Sequence, residues 1–129
     1  MRYLGVDFGS KRIGLAVSDE SGSFAMPLKV VENSPKAVSE IIEICKERKI
    51  DTVVVGESKN FKQEENEIMG EIKIFVETLK KESGLSVVLH PEFMTSAEAE
   101  QIQGKNDMLD ASAAAIILKS YLDTKINQN

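Results

Sequence analysis

One short run of residues constrains the fold of this chain more than any other. From Thr52 to Val55 every side chain is β-branched, and Gly56 ends the run. An unbroken run of this kind is typical of a strand buried on both faces, whereas a strand with one face in water alternates. A strand buried on both faces needs helices on each side of it. The chain is therefore expected to fold as a layered α/β domain.

The patterns around this run predict the other elements. Before it, apolar residues alternate in segments separated by short turns, which predicts consecutive antiparallel strands. After these segments the apolar spacing becomes that of a helix, as at Val38, Ile41 and Cys45. In chain order we predict strands at 2–8, 13–18 and 24–31, a helix capped by Ser34, a strand at 52–56, a helix that carries Ile68 to Leu79 and ends near Gly84, a strand at 85–89, a short helix at 95–104 and a helix at 108–122.

The predicted connections fix the directions of the strands. Two tight turns make the third strand parallel to the first, and helical crossovers make the fourth and fifth parallel to the third. The first, fourth and fifth strands therefore end at the same edge of the sheet. In open α/β sheets this edge is where binding and catalytic sites form.

Three acidic residues fall at or beside this edge, and a fourth lies on the last helix. Asp7 closes the first strand, Glu57 follows the fourth, Glu92 follows the fifth, and Asp110 leads the apolar stripe of the last helix. Each acid alone has an ordinary explanation, as a turn, loop or first-turn helix residue. Together, facing carboxylates repel unless they are protonated or bridged by cations. Oxygen ligands suit Mg²⁺ or Mn²⁺, and two such ions about 4 Å apart can hold the attacking and leaving oxygens of a phosphodiester.

Basic residues near the same edge indicate contacts with nucleic-acid phosphates. Lys11 and Arg12 lie in the turn after the first strand, where they can hold a phosphate beside the scissile one. Lys59 and Lys62 flank an aromatic residue, an arrangement that suits stacking of single-stranded bases. A solvated turn explains the first pair equally well, and a loop with one hydrophobic anchor explains the second better.

Composition limits the class of protein. With 129 residues, 42% hydrophobic and 29% charged, the chain suits one globular domain spanning residues 1–129. The net charge of −5 argues against a protein that binds nucleic acid by electrostatics alone. No apolar run is long enough to span a bilayer, and Asp7 interrupts the stretch that a signal peptide would need. Because Cys45 is the single cysteine, the chain cannot form an internal disulfide, and we expect it in a reducing cytoplasm. We expect no membrane partner.

Two segments resemble a known family. Residues 7–19, Asp-Phe-Gly-Ser-Lys-Arg-Ile-Gly-Leu-Ala-Val-Ser-Asp, resemble the opening motif of the YqgF/RuvX family of pre-16S rRNA nucleases, which have a ribonuclease H-like fold. Residues 109–115 and 120–122 resemble the closing helix of that family. Because the order of elements and the length also match, the resemblance covers essentially the whole chain.

The resemblance implies a fold and an activity. The fold is a ribonuclease H-like α/β domain with a five-stranded mixed sheet, in the strand order 3-2-1-4-5, flanked by helices. The activity is metal-dependent endonuclease cleavage that processes the 5′ end of pre-16S rRNA. The alternative is a Holliday-junction resolvase, the same chemistry on branched DNA, which needs a dimer to present two sites. We expect a monomer or a weak homodimer.

The family motifs imply roles for single residues. Asp7 and Asp110 match the first and last catalytic, metal-binding acids, and Glu92 matches the glutamate of an Asp-Glu-Arg motif. Here that motif is Pro91-Glu92-Phe93, without the flanking acid and the arginine. Glu57 stands where the resolvase branch carries a glutamate, so both remain candidates for the middle acid, with Glu92 favoured. Loss of the arginine, a bidentate phosphate ligand, leaves open a catalytically impaired module that only binds nucleic acid.

A nucleotide-binding ATPase is a further class, because an Asp-x-Gly-Ser hairpin also opens the phosphate loop of the actin and sugar-kinase fold. That fold closes two lobes over its nucleotide, and 129 residues supply one. The resemblance to the YqgF/RuvX family instead implies Mg²⁺ or Mn²⁺ as the cofactor and structured or precursor rRNA, or branched DNA, as the partner.

Overall fold

The computed structural model of the chain describes residues 1–9, 11–58, 65–92 and 109–127, and of residues 57, 58, 65–69, 91, 92, 109, 110, 126 and 127 it describes the backbone. The strands form one five-stranded sheet in the order β3-β2-β1-β4-β5, with β1 antiparallel to β2 and parallel to β4. The predicted α/β class, mixed sheet and strand order are confirmed. In chain order the elements are β1 (Tyr3–Phe8), β2 (Arg12–Ser18), β3 (Ala25–Glu32), α1 (Ala37–Glu47), β4 (Thr52–Ser58), α2 (Glu65–Ser83), β5 (Ser86–Glu92) and α3 (Leu109–Asn127).

The sheet separates two apolar layers. Alternate residues of β1, such as Leu4 and Val6, belong to the larger core, which also contains buried residues of α1 and α2. The other face of the sheet packs against α3, where Val54 of β4 joins residues of that helix. The three valines at 53–55 have no exposed surface, so the run that predicted a doubly covered strand is indeed covered on both faces.

Two strands run further than the sequence predicted. β4 continues to Ser58 and β5 continues to Glu92. Beyond their predicted ends the two strands still pair with each other, with Glu57 opposite Pro91 and Ser58 opposite Glu92. The prediction that both glutamates follow their strands was therefore wrong. Hydrogen bonding to a neighbouring strand extends a strand past the end of its own apolar pattern.

Helix α1 begins later than predicted. Lys36, not Ser34, occupies its N-cap position, and it does so without a side-chain hydrogen bond. Ser34 Oγ accepts a hydrogen bond from the backbone N–H of Lys36 at 3.2 Å, and the Ser34 carbonyl accepts one from the N–H of Ala37 at 2.9 Å. Ser34 therefore closes a turn that precedes the helix. The predicted short helix at 95–104 lies outside the described residues.

Among the residues that the structure describes, no helix is both long enough and apolar enough to cross a membrane.

Candidate active site

Asp7 lies in a row of residues that crosses the sheet near the C-terminal ends of β1, β4 and β5. Gly14 of β2 pairs with Asp7 on one side and Gly56 of β4 on the other, and Gly56 pairs in turn with His90 of β5. Paired residues in such a row lie on the same face of a sheet. Asp7 is half-buried. The glycines beside it leave room for another element to approach the sheet closely.

Helix α3 makes that close approach. A side chain added at Gly5 of β1 would lie 2.8 Å from the carbonyl oxygen of Ala114. A side chain added at Gly56 would collide with the Ile117 side chain. Glycine is required at both positions because each allows the helix to pack directly against the strand backbone.

The contacts along β1 show that α3 runs in the opposite direction and locate its beginning. Near the start of β1, the Tyr3 ring packs against the Tyr121 ring, with centroids 5.9 Å apart. At Gly5, two residues further along β1, the strand approaches Ala114 and Leu118, which lie one to two helical turns before Tyr121 in α3. Two further residues along β1 reach Asp7, and one further turn back along α3 reaches Asp110. The backbone therefore brings positions 7 and 110 to the same edge of the sheet.

The two candidate middle acids belong to different alternating sets of strand positions. Position 92 alternates with Val88 and His90, and Val88 packs in the α3 layer. Position 57 alternates with Val53 and Val55, which pack in the α1/α2 layer. Successive positions of a strand alternate between faces. Position 92 therefore lies on the face of the sheet that carries Asp7 and packs against α3, and position 57 lies on the opposite face.

The turn between β1 and β2 is held in place by a residue that the sequence analysis did not identify. Asn33, directly after β3, donates a hydrogen bond from Nδ2 to the Gly9 carbonyl at 2.8 Å. Its backbone N–H donates to the Lys11 carbonyl at 3.0 Å. An asparagine just past a strand end was the available signal, since its amide can bond to nearby backbone. Of the predicted phosphate contacts, Lys11 lies in this turn and Arg12 begins β2, and both are exposed, whereas Lys59 and Lys62 lie outside the described residues.

The last residues of the opening motif lie at the opposite edge of the sheet. Ser18 Oγ accepts a hydrogen bond from the Tyr3 N–H at 2.9 Å and donates one to the Asp19 carbonyl at 3.0 Å. Asp19 accepts hydrogen bonds from the N–H groups of Ser23 and Phe24 at 2.8 and 3.0 Å. These two motif residues end β2 and order the following turn, and they are remote from Asp7.

The metal site predicted at Asp7, Glu92 and Asp110 is described in part, because the side chains at 92 and 110 lie outside the description. Among the side chains that are described, no three His, Cys, Asp or Glu residues cluster as metal ligands would. The backbone positions of the three acids, however, fall at one edge and on the α3 side of the sheet.

Comparisons with known proteins identify the family of this chain. A family model described as RuvX, Holliday junction resolvase, matches residues 1–124. A relative from Sulfurihydrogenibium sp. (strain YO3AOP1) is 37% identical, covering 95% of this chain and 90% of its own length. A relative from Fusobacterium nucleatum is 36% identical, covering 96% of this chain and 98% of its own length. Both carry the provisional name pre-16S rRNA nuclease.

Solved structures share the fold. T. thermophilus RuvC, in a complex with a Holliday junction substrate, superposes with a TM-score of 0.64 at 22% identity, covering 98% of this chain and 96% of that chain. The Fowlpox virus resolvase, in a complex with Holliday junction DNA, gives a TM-score of 0.61 at 15% identity, covering 98% of this chain and 99% of that chain. The arrangement of strands and helices around Asp7 is thus the ribonuclease H-like arrangement of these resolvases.

Proposed function

Because this chain belongs to the RuvX family of Holliday junction resolvases, we propose that it is an endonuclease that hydrolyses phosphodiester bonds with divalent cations bound by Asp7, Glu92 and Asp110. The observation that carries the proposal is the convergence of three sequence-distant positions on one edge and one side of the sheet. Carboxylates that converge in a partly buried place are stable when cations bridge them.

The donor set fits a divalent cation. The three acids offer carboxylate oxygens, the ligands that Mg²⁺ and Mn²⁺ prefer. When bound, a pair of such ions would activate a water molecule and neutralise the charge that develops on the phosphate. Asp7 lies on a central strand and position 110 on a tightly packed helix, so the main contribution of the protein would be to hold these two positions at a fixed separation.

Basic residues complete the proposed site. Lys11, in the turn that Asn33 holds beside Asp7, and Arg12, at the start of β2, are exposed. They can bind phosphates that flank the scissile bond, and Lys59 and Lys62 are proposed as further phosphate contacts. Phosphate contacts of this kind position the substrate and carry no sequence information. They also place positive charge near the site in a chain whose net charge of −5 would otherwise oppose the approach of nucleic acid.

The proposal predicts that Asp7→Asn abolishes both cleavage and the heat of Mn²⁺ binding in titration calorimetry. The Tm is expected to stay unchanged or to rise, because the substitution keeps the shape of the side chain and removes repulsion between carboxylates. Asp123→Asn, at an exposed acid of the same helix as Asp110, is the matched control and should keep both properties. Cleavage at the wild-type rate by purified Asp7→Asn would overturn the proposal. Cation binding by the wild type without any cleavage would identify the chain as an impaired binding module.

The same two measurements distinguish the candidate middle acids. Position 92 belongs to the alternating set that faces α3, and position 57 belongs to the other set. Glu92→Gln is therefore expected to lose cleavage and Mn²⁺ binding, and Glu57→Gln to keep both. The reverse result would identify Glu57, and not Glu92, as the third cation ligand.

Precursor rRNA is the substrate that the names of the relatives favour, and the cytoplasm is where this chain would meet it. A Holliday junction is the second candidate, because the matching family model carries that description. Cleavage of an RNA that spans the 5′ boundary of mature 16S rRNA, compared with a four-way DNA junction, separates the two. Sedimentation adds an independent criterion, since one monomer suffices to cut the RNA and a junction needs two sites.

A further inference from the structure

His90 joins the last strand of the sheet to the last helix. Its Nε2 atom shares a hydrogen bond with Ser120 Oγ of α3, at 3.0 Å. Its ring also meets the Tyr121 ring edge-on, with centroids 5.7 Å apart and planes at 83°. The histidine is half-buried. Two contacts to adjacent residues of α3 therefore fix the ring in one orientation.

This link lies between the elements that carry two of the proposed ligands. Glu92 is two residues beyond His90 at the end of β5, and Asp110 is in the first turn of α3. Within the described residues, β5 is the outermost strand of the sheet and pairs with β4. The end of an edge strand is held by fewer backbone hydrogen bonds than a central strand. A side-chain tie to α3 at His90 restrains this end against the helix.

We propose that His90 is a positioning residue. The hydrogen bond between His90 and Ser120 fixes the end of β5 relative to α3, and so sets the spacing of Glu92 and Asp110 at the cation site. This inference rests on the proposed function, since it assumes that those two acids bind the cation. It concerns the geometry of the link and assigns His90 no contact with substrate or metal.

Residues that orient metal ligands indirectly have a measurable signature. Their loss weakens metal binding, typically by about 10- to 100-fold, and the effect is restored by a substitution that keeps the orienting hydrogen bond. His90 acts through the backbone of β5, so we expect the lower end of this range. A residue that only stabilises the fold would change the Tm and leave the cation affinity of the folded protein unchanged.

The experiment is Mn²⁺ titration calorimetry on the full chain, with the Tm of each variant measured without cation. His90→Ala and Ser120→Ala are each expected to weaken Mn²⁺ binding about tenfold, and the double variant no further, because both remove the same bond. His90→Gln, whose amide can reach Ser120, is expected to restore most of the affinity. Val87→Ala is the matched control, since Val87 is buried on the opposite face of β5. It should lower the Tm and leave the Mn²⁺ affinity unchanged.

Different outcomes separate this inference from the proposed function. If the wild type binds Mn²⁺, Asp7→Asn does not, and both His90→Ala and Ser120→Ala bind as the wild type does, the positioning role is overturned and the cation site stands. If His90→Gln loses as much affinity as His90→Ala, the hydrogen bond is not the cause and the inference is overturned. If the wild type binds no Mn²⁺, both proposals are overturned. Should His90→Ala fail to fold, Ser120→Ala decides the question, because it leaves the ring in place.

Discussion

The two faces of the sheet are packed in different ways. On the face under α1 and α2, large side chains fill the space, and Ile41, Ile72 and Leu79 have no exposed surface. On the face under α3, an added side chain at Gly5 or Gly56 would meet the helix. Large side chains maximise the apolar area removed from water, whereas glycines minimise the distance between helix and strand. The first face chiefly stabilises the fold, and the second chiefly fixes where the beginning of α3 lies.

This difference accounts for the location of the candidate site. Asp7 lies on the closely packed face, two residues beyond Gly5 and paired with Gly56. The buried residues that follow Asp110 are small, with Ala111 and Ala114 fully covered. Because little side-chain volume separates helix from strand, the proposed cation site would require only a short reach from each element. Substitutions on the α1/α2 face are therefore expected to lower stability and leave cation binding unchanged. Substitutions on the α3 face are expected to lower cation binding more than stability.

The largest loss of stability is expected on the α1/α2 face. Ile41→Ala removes most of a side chain that is fully buried in that core, which costs about 3 kcal/mol of unfolding free energy because of lost burial and the cavity left behind. Chemical denaturation measures this loss. Calorimetry at a temperature where the variant is folded should give the wild-type Mn²⁺ affinity. A large loss of affinity would show that the two faces are not independent.

A smaller loss of stability but a larger loss of cation binding is expected from Gly5→Ala. The new methyl group would lie 2.8 Å from the Ala114 carbonyl oxygen, and since that atom is backbone, the helix itself must shift. Overpacking of this kind costs about 1–3 kcal/mol, and the shift should weaken Mn²⁺ binding at least about tenfold, as loss of ligand orientation does.

The matched control for Gly5→Ala is Gly70→Ala on α2, where an added side chain meets no atom within 4 Å. Removing a glycine from a helix interior stabilises by up to about 1 kcal/mol, so the control should raise the Tm without changing Mn²⁺ affinity. If Gly5→Ala bound Mn²⁺ as tightly as the wild type, the close approach of α3 would not be what holds the acids together.

The smallest effect is expected at a carboxylate that belongs to neither face. Hydrogen bonds from the Ser21 hydroxyl and from the backbone N–H groups of Phe24 and Ser23 lower the pKa of Asp19 from 3.8 to about 2. A lowered pKa in the folded state means that the charged form stabilises the fold above about pH 4, and that this contribution is lost as the pH falls towards 2.

Thermal unfolding of the wild type and Asp19→Asn across this range tests the effect. The wild type should have the higher Tm at neutral pH, and the difference should shrink on acidification between about pH 4 and pH 2. Mn²⁺ affinity at neutral pH should be the same in both proteins, because Asp19 lies at the edge of the sheet opposite Asp7. A constant difference in Tm across the range would show that the charge of Asp19 does not contribute to stability.

Much of the fold follows from local patterns in the sequence. Period-two alternation identifies β1 and β2, the spacing of Val38, Ile41 and Cys45 identifies α1, and short turns then dictate the direction of each strand. The ends of elements are less accessible. β4 and β5 each extend past their apolar pattern because they pair with each other, and Ser34 bonds within a turn instead of capping α1. In these cases a partner that is distant in sequence, or a competing local hydrogen bond, decides the boundary.

The candidate site shows the same division. The sequence indicates that Asp7, Glu57 and Glu92 lie near one edge, because connection lengths fix the strand directions. It does not show on which face of the sheet each glutamate lies. The β-branched run from Thr52 to Val55 has no alternation of polar and apolar residues that would assign its positions to one face or the other. Pairing of Asp7 with Gly56 supplies the missing register. The contributions of Asn33 and His90 also escaped the sequence analysis, since each acts through a residue far away in the chain.

By itself, the order of apolar patterns determined that this chain forms a layered sheet with acids at the ends of its parallel strands, because hydrophobic periodicity and connection length are local properties. Only the tertiary structure decided which acids share a face and how near α3 comes to Asp7. Those two quantities depend on strand register and on helix packing over Gly5 and Gly56, and both are set by contacts between segments that the sequence keeps far apart.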